Sequence, residues 1–290
     1  MISWLKCRLY SLALTLAPAL LFRFQHLRMH RRFGSHWYWA QLRRPRTFNE
    51  HLLRSKLDGQ HAAMTHLVDK AEAKRWVSER IGEQHIIPTL GVYEKPEDVP
   101  IQKLPRPCIL KPTHTSGHVR ILKGVDEEPT PGEIQNELAS WQRINHYLIS
   151  GEPQYRDICP RIICEPLLGA GQDDLPDYKF FCFYGRPTFV QVDLDRRTHH
   201  VRRFYNCQWK PLDFTLRYSM APRETPRPTQ FDQMVNIASK LSSGFSFVRV
   251  DLYAVDDRIY FGELTFHPES GTAPFSDFQA DLELGKSFTQ

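Results

Sequence analysis

The stretch FVRVDLYAVDDRIYFGELTFHPESG, residues 247–271, has the alternation of a β-hairpin with its turn centred near Asp257. Pairing the two strands about that turn places Asp251 opposite Glu263 and Arg249 opposite Thr265, all on one face. Like charges directly opposite each other destabilise a sheet. The facing carboxylates therefore predict a positively charged partner between them.

The other face of this hairpin is predicted to face the core. Its members are Val248, Val250 and Leu252 in the first strand and Gly262, Leu264 and Phe266 in the second. Two explanations fit the charged face. Arg249, Asp251 and Glu263 form a structural ion-pair cluster, or a divalent cation lies between the two acids and reverses the local charge balance. Mg²⁺ suits the second explanation, since it takes a few carboxylates together with phosphate oxygens.

The composition is that of a soluble globular protein: 290 residues, 41% apolar and 24% charged, enough for one large domain or two lobes. The net charge of +5 is unevenly distributed, because the first 49 residues hold nine Lys or Arg and no Asp or Glu. The remaining 241 residues carry a net charge of −4, which argues against nucleic acid as a partner. The six cysteines show no CxxC pair or metal-ligand spacing, as expected for reduced cysteines in a cytoplasmic protein.

The basic N-terminus contains fourteen uncharged residues between Arg8 and Arg23, interrupted by Pro18. This run is shorter than the ~20 residues that span a bilayer. Three interpretations stay open: a signal peptide, an amphipathic helix packed on the protein itself, and an interfacial helix held to anionic lipid by its arginines. The third predicts peripheral contact with the inner face of a membrane.

The order of helical and strand-like segments predicts an α+β protein with mainly antiparallel sheets in two lobes. A Gly-, Pro- and Asp-rich stretch at 169–177 is the best candidate for the linker between them. We expect a basic, mostly helical segment at 1–66, a first lobe at 67–170 and a second lobe with the hairpin at 171–290. A single helix is expected from about Thr65 to Arg80.

Three segments outside the hairpin carry residues that suit nucleotide chemistry. In ILKPTHTSGH, Lys111 ends an apolar strand and is followed by a loop with Ser116 and Gly117, which can fold over phosphates. Lys70 begins a helix, and Glu165 ends another apolar strand at the junction of the lobes. Taken singly, these features fit equally well a surface hairpin, a solvated lysine and the polar end of a strand.

The order of these pieces resembles the ATP-grasp superfamily. The similarity is closer to the TupA-like ATP-grasp proteins of teichuronopeptide and bacterial surface-polysaccharide synthesis. It extends over roughly residues 44–285 and rests on RPRTFNEHLLRSKL, LVDKAEAKRWV, ILKPTHTSG, LPDYKFFCFYGRP and the hairpin stretch. The last two motifs are the most specific.

The resemblance implies an ATP- and Mg²⁺-dependent ligase that phosphorylates a carboxylate and then joins it to an amine. It also implies a role for each matching residue. These are phosphate contacts for Lys70, Lys111 and Lys179, a loop over the γ-phosphate at Ser116 and Gly117, an adenine pocket at Glu165 and Leu168, Mg²⁺ ligation by Asp251, Glu263 and Thr265, and stabilisation of the acyl-phosphate transition state by Arg249.

Two positions depart from the related patterns. Thr265 stands where D-alanine:D-alanine ligases have an Asn ligand, so one coordination position falls to His267, Glu269 or water. His118 follows Gly117 in a loop that is usually richer in glycine.

The segment DRRTHHVRRFYN, residues 195–206, concentrates basic side chains ahead of the hairpin. We predict that His200, Arg202 and Arg203 contact the substrate, as the carboxylate of a uronic acid or amino acid or the diphosphate of a glycolipid. A solvated basic face is the alternative. Arg197 belongs to the same run.

The function favoured by these features is amide formation on a cell-surface polysaccharide or its precursor, in the cytoplasm or at the inner face of the membrane. A glycosyltransferase or kinase of the same pathway is the alternative, and the DLD triplet at 193–195 has the spelling of a nucleotide-sugar site. A third option is an ATP-binding protein without turnover.

Overall fold

The computed structural model describes residues 4–33, 38–124, 129–169, 175–196 and 198–289, with side chains from Leu9 onward. Most of the predicted linker, including the expected boundary at 170, lies outside the described residues, and so does Arg197.

Helices cover both ends of the described chain and flank each sheet. Their bounds are α1 (Trp4–Leu16), α2 (Pro18–Arg32), α3 (Phe48–Asp58), α4 (Thr65–Val68), α5 (Glu72–Ile81), α6 (Pro131–Gln142), α7 (His146–Ser150), α8 (Phe231–Ser242) and α9 (Phe278–Lys286).

The strands form two sheets, as expected for an α+β protein of two lobes. The first, in the order β1-β4-β2-β3, is antiparallel throughout. Its strands are β1 (Gly91–Tyr93), β2 (Cys108–Pro112), β3 (Arg120–Leu122) and β4 (Ile162–Pro166). Its apolar core lies against α6, with Leu110, Ile134 and Leu138 fully buried.

The second sheet follows the order β11-β10-β5-β6-β7-β8, with β9 parallel to β7. Its strands are β5 (Asp177–Phe183), β6 (Arg186–Leu194), β7 (Val201–Asn206), β8 (Pro211–Leu212), β9 (Ser219–Met220), β10 (Phe247–Val255) and β11 (Arg258–Thr265). One face packs against α8 through the largest core cluster of the described residues. The other is apolar only where α3 and α9 cover it.

The predicted register of the hairpin is confirmed. Asp251 pairs with Glu263, and Arg249 pairs with Thr265. The expectation for Gly262 was wrong, because the register shifts at this point and Leu252 pairs with Phe261. Phe261 therefore joins the core, and Gly262 is the extra residue of a β-bulge.

The helix expected from Thr65 to Arg80 is two helices. Asp69 breaks it, because its Oδ1 accepts the backbone N–H groups of Ala71 (2.8 Å) and Glu72 (3.1 Å) and so caps α5. The break places Lys70 in a turn whose backbone N–H donates to the Thr113 carbonyl at the end of β2 (3.3 Å).

The N-terminal segment is helical, as predicted, and α1 and α2 pack on the body through one face. Leu14 and Phe22 are buried there beside Leu53 of α3. Thr47 and Glu50 form the predicted capping box at the start of α3. Among the described residues, no helix combines the length and the apolar character that crossing a membrane requires.

Candidate active site

The charged face of the hairpin is a buried ion-pair network. Arg249 donates from Nε to Asp251 Oδ1 and from Nη2 to Asp251 Oδ2, both at 2.7 Å. Lys179, which pairs with Asp251 across β5 and β10, donates to the same Oδ2 at 2.7 Å. Lys179 also binds Asp177 Oδ2 at 2.5 Å. The resemblance placed all but Asp177 in the site, and the structure brings them together.

Glu263 and Thr265 complete this cluster from β11. Arg249 Nη2 lies 3.2 Å from Glu263 Oε1 and 3.1 Å from Thr265 Oγ1, which itself donates to Glu263 Oε1 at 3.3 Å. Unlike Asp251, which is 1% exposed, Glu263 is half-buried. Asp251 is therefore enclosed by the protein, whereas Glu263 reaches the surface.

The charge states of the network follow from its partners. Burial alone would raise the pKa of Asp251, but the neighbouring Arg249 and Lys179 hold it below its usual value. Burial would lower the pKa of Lys179, yet Asp177 and Asp251 raise it. Asp251 is therefore ionised at neutral pH, as a metal ligand must be.

The donor set fits Mg²⁺. A carboxylate offers about four lone-pair positions, and the three described donors to Asp251 leave one on Oδ1. The described hydrogen bonds of Glu263 involve Oε1 alone. No group of three or more His, Cys, Asp or Glu side chains in the described parts of the chain is arranged to hold a metal ion. Two acids suffice for Mg²⁺ where phosphate oxygens supply further ligands.

A second charged group lies on the first sheet. Glu165 on β4 accepts Lys111 Nζ of β2 at 2.7 Å through Oε2 and Lys74 Nζ of α5 at 2.5 Å through Oε1. Burial opposes ionisation of Glu165, but Lys111 and Lys74 lower its pKa. Lys74 was not predicted, although its position four residues after Lys70 places both near the start of α5.

Lys70 links this group to the hairpin. Its Nζ donates to the Thr115 carbonyl in the loop after β2. Burial lowers the pKa of Lys70, and the strongest opposing influence is the Glu263 carboxylate of the other sheet. Lys70, in the turn beside the first sheet, thus lies within electrostatic reach of an acid on the second sheet, which suits a phosphate chain.

The loop expected over the γ-phosphate lies between β2 and β3. Ser116 and Gly117 are exposed, and Gly117 has φ +83°, a conformation that favours glycine. His118, the departure noted above, lies with its Nδ1 3.0 Å from Thr115 Oγ1 and its ring 5.8 Å from Trp141. His118 thus anchors the end of the loop to α6.

The predicted adenine edge lies at the end of β4. Leu168 is half-buried there, just past Glu165. The neighbouring Leu167 N–H donates to the Pro107 carbonyl at 3.2 Å, so that amide is already bonded. The adenine assignment consequently rests on Glu165 and the backbone at Leu168.

The predicted substrate residues do not share one surface. Arg202 is 2% exposed and binds Asp193 (2.7 Å) and Glu269 (3.1 Å), while the His200 ring lies 3.8 Å from the Tyr218 ring and is tilted against it by 32°. Arg203 lies on the opposite face of β7, where it donates to the Ala221 carbonyl (3.0 Å). Successive strand residues alternate faces, so Arg202 and Arg203 cannot form one patch.

The other predicted metal ligands have different partners. His267 is buried, with Nε2 3.0 Å from Ser55 Oγ and Nδ1 3.1 Å from Gln154 Nε2. Burial holds its pKa well below the usual value, so it is neutral. Glu269 binds Arg202 and Arg217. Neither side chain is available as a third ligand in this arrangement.

Neither Asp177 nor Gln191 of the second sheet was predicted as a site residue, and Asp193 was considered only as part of the DLD triplet. Asp177, Gln191 and Asp193 are all 1% exposed and share the face of Lys179. The signal was present, because residues two apart on a strand share a face. The same geometry argues against a nucleotide-sugar site at the DLD triplet, since Arg202 holds Asp193 within the sheet.

A family comparison agrees with this geometry. Residues 50–289 match the family model of the TupA-like ATP-grasp proteins. The chain belongs to this family. The match confirms the expected family and its ATP-grasp fold. No curated protein sequence matches the chain significantly.

The similar solved structures are distant in sequence. The D-alanine–D-alanine ligase of Bacillus anthracis is 17% identical with a TM-score of 0.41, covering 69% of this chain and 57% of the ligase. The ATP-grasp ligase PsnB with its minimal precursor is 16% identical with a TM-score of 0.42, covering 83% of this chain and 67% of PsnB. The Helicobacter pylori ligase is 17% identical at a TM-score of 0.38, covering 76% of this chain and 61% of the ligase. This chain thus spans little more than half the length of the Bacillus anthracis ligase.

Proposed function

We propose that this protein is an ATP- and Mg²⁺-dependent carboxylate–amine ligase that forms an amide on a bacterial cell-surface polysaccharide or its precursor. An amino acid joined to a uronic acid is the expected type of product. The observation that supports it best is the charged face of the hairpin, where Asp251 and Glu263 face each other beside Arg249 and Lys179. The family match adds to it.

The first step transfers the γ-phosphoryl group of ATP to the substrate carboxylate and releases ADP. Lys70 and Lys111 neutralise the phosphate chain, and the loop at Ser116–Gly117 offers backbone N–H groups above it. Asp251 and Glu263 would hold Mg²⁺, which would supply positive charge beside the phosphates.

The second step is attack of the amine on the acyl carbon, with departure of inorganic phosphate and loss of one proton from the nitrogen. Arg249 holds the charge that develops on the acyl phosphate, because its guanidinium is fixed by Asp251 beside the acids. Lys179 is a further phosphate contact from the same face.

The acceptor would approach from the side of β7, where His200, Tyr218, Arg202 and Arg217 lie together around Glu269. Arg202 acts there by fixing Asp193 and Glu269, since it is buried. His200 is half-buried and Arg217 is exposed, and both remain candidates for direct contact with a carboxylate or diphosphate.

The test is ADP and phosphate release by the purified protein with Mg-ATP across uronic acids crossed with amino acids. Release that needs one acid–amine pair and disappears in Glu263→Gln supports the ligase. Release that needs a sugar hydroxyl but no amine would indicate a kinase. Tight ATP binding with no release for any pair or lipid-linked acceptor would indicate a binding protein.

A further inference from the structure

The first two helices present an apolar surface to solvent. Leu9, Leu12 and Leu16 recur at spacings of three and four residues on α1, and Leu20 and Phe24 do so on α2. Each of the five is between 45% and 73% exposed. We call this set the N-terminal stripe.

Packing against the protein's own body does not account for the stripe. The body takes the opposite face of the same helices, where Leu14, Phe22, His26 and His30 are buried. The two helices thus bury one face on the body and expose leucine and phenylalanine side chains on the other. Exposed apolar side chains that line up along a helix are expected where a second apolar phase covers them.

Charge indicates which phase this is. Arg28 and Arg32 follow Phe24 at intervals of four on α2, and both are exposed. The first 49 residues contain no acidic side chain, whereas the rest of the chain has a net charge of −4. A second copy of this surface would set arginines against arginines. An anionic lipid surface complements both the apolar residues and the charge.

An interfacial aromatic residue lies at the edge of the stripe. Trp39 is 43% exposed, its ring meets Phe24 edge-on at 5.9 Å, and the Arg23 guanidinium lies 5.5 Å from it. Trp with a neighbouring arginine is the pairing favoured at the level of lipid head groups.

We propose that the N-terminal stripe docks on an anionic bilayer surface, with its leucines and Phe24 at the acyl boundary and Arg28 and Arg32 among the head groups. The end of α2 also touches the acceptor side, since Phe33 lies 5.9 Å from the Arg217 guanidinium. If the protein is the proposed ligase, on which this step rests, the contact assigns the acceptor to the lipid-linked class. The bilayer would present it next to Arg217.

The test is co-sedimentation of the full chain with vesicles of phosphatidylcholine alone or mixed with phosphatidylglycerol. We expect binding only to the anionic vesicles, weakened by salt. The double variant Leu16→Ser/Phe24→Ser should lower partitioning by at least about tenfold, and Arg28→Gln/Arg32→Gln by about tenfold or more. Leu90→Ser, a matched change at an exposed leucine outside α1 and α2, should bind like the original chain.

Three outcomes would overturn the proposal: no binding to anionic vesicles, equal binding to neutral ones, or stripe variants that bind normally. A concentration-dependent dimer in ultracentrifugation that Leu16→Ser/Phe24→Ser abolishes would instead assign the stripe to self-association. Mg-ATP affinity, measured without vesicles, separates this test from the ligase proposal, because the stripe variants should leave it unchanged.

Discussion

One face of the second sheet has two unlike halves. Phe181 and Lys179 are two residues apart on β5 and point to the same side. Phe247 and Asp251, on the neighbouring strand β10, point to that side as well. The apolar half consists of phenyl rings closed over by α3 and α9, with Phe48 5.8 Å from Phe181. The charged half is just as buried, but it contains ions.

The difference separates structural stability from function. Burying an ion costs several kcal/mol, and a well-packed apolar replacement is often as stable as a buried ion pair. The apolar half shows that these strands accept phenyl rings on this face. The charges at Lys179, Arg249 and Asp251 therefore need a role that rings cannot fill, and binding Mg-ATP is such a role.

Removing a ring tests the apolar half. Phe181→Ala should destabilise the fold by about 3–5 kcal/mol, because the side chain is fully buried among other rings. Urea denaturation measures the loss. The affinity for Mg-ATP, measured well below the melting temperature, should remain within about twofold. A variant that folds normally but loses ATP would show that the two halves are not independent.

Removing a charge tests the charged half. Asp251→Asn keeps the shape but removes one of the two facing negative charges, and we expect turnover to fall about 10²–10³-fold. ADP release with an active acid–amine pair measures it. Asp281→Asn is the control, since that buried acid binds Tyr38 and Asn49 near α9 instead. Equal losses in both variants would contradict the assignment.

Lys111 on the first sheet tests the predicted phosphate contact of the nucleotide. Lys111→Met should weaken Mg-ATP binding about 10–100-fold, because it removes a charge expected at the phosphates while Lys74 still holds Glu165. Titration calorimetry measures this affinity. Lys95→Met, at an exposed lysine outside the site, should bind as before. An unaltered affinity in Lys111→Met would remove this residue from the phosphate site.

Acid should destabilise the charged half selectively. Burial opposes ionisation of Asp193, but His200 and Arg202 hold its pKa far below the usual 3.8. A depressed pKa contributes stability that is present above the unfolded value and lost as pH falls below it. We expect about 2 kcal/mol of this loss between about pH 4 and pH 2. Between about pH 4 and pH 2 the free energy of unfolding of Asp193→Asn should fall less steeply than that of the original protein, although the variant is less stable at neutral pH. An identical slope would exclude Asp193 as the cause.

Strand periodicity predicted much of this arrangement. The pairing of Asp251 with Glu263 followed from alternation about a turn centred near Asp257, although the structure reaches this pairing through a register shift. The bulge at Gly262 did not, because one skipped pairing leaves no mark in a pattern of period two. Lys70 was recognised by its motif, yet its turn depends on the Asp69 cap.

Long-range pairings were the part that the sequence could not supply. Asp193 and Arg202 lie close in the chain, but Glu269 joins them from beyond β11. His267 was a reasonable candidate ligand by position, and only its contacts with Ser55 and Gln154 show that it is used elsewhere. Such contacts depend on how distant segments pack.

The most direct test of the central claim follows the oxygen atoms of the substrate. A carboxylate labelled with heavy oxygen is supplied with Mg-ATP and the amine that supports ADP release, and the phosphate is analysed by mass spectrometry. Ligation through an acyl phosphate predicts one labelled oxygen in each phosphate released and one in the amide. Phosphate without label, formed together with the amide, would contradict the account, because the carboxylate would never have been phosphorylated.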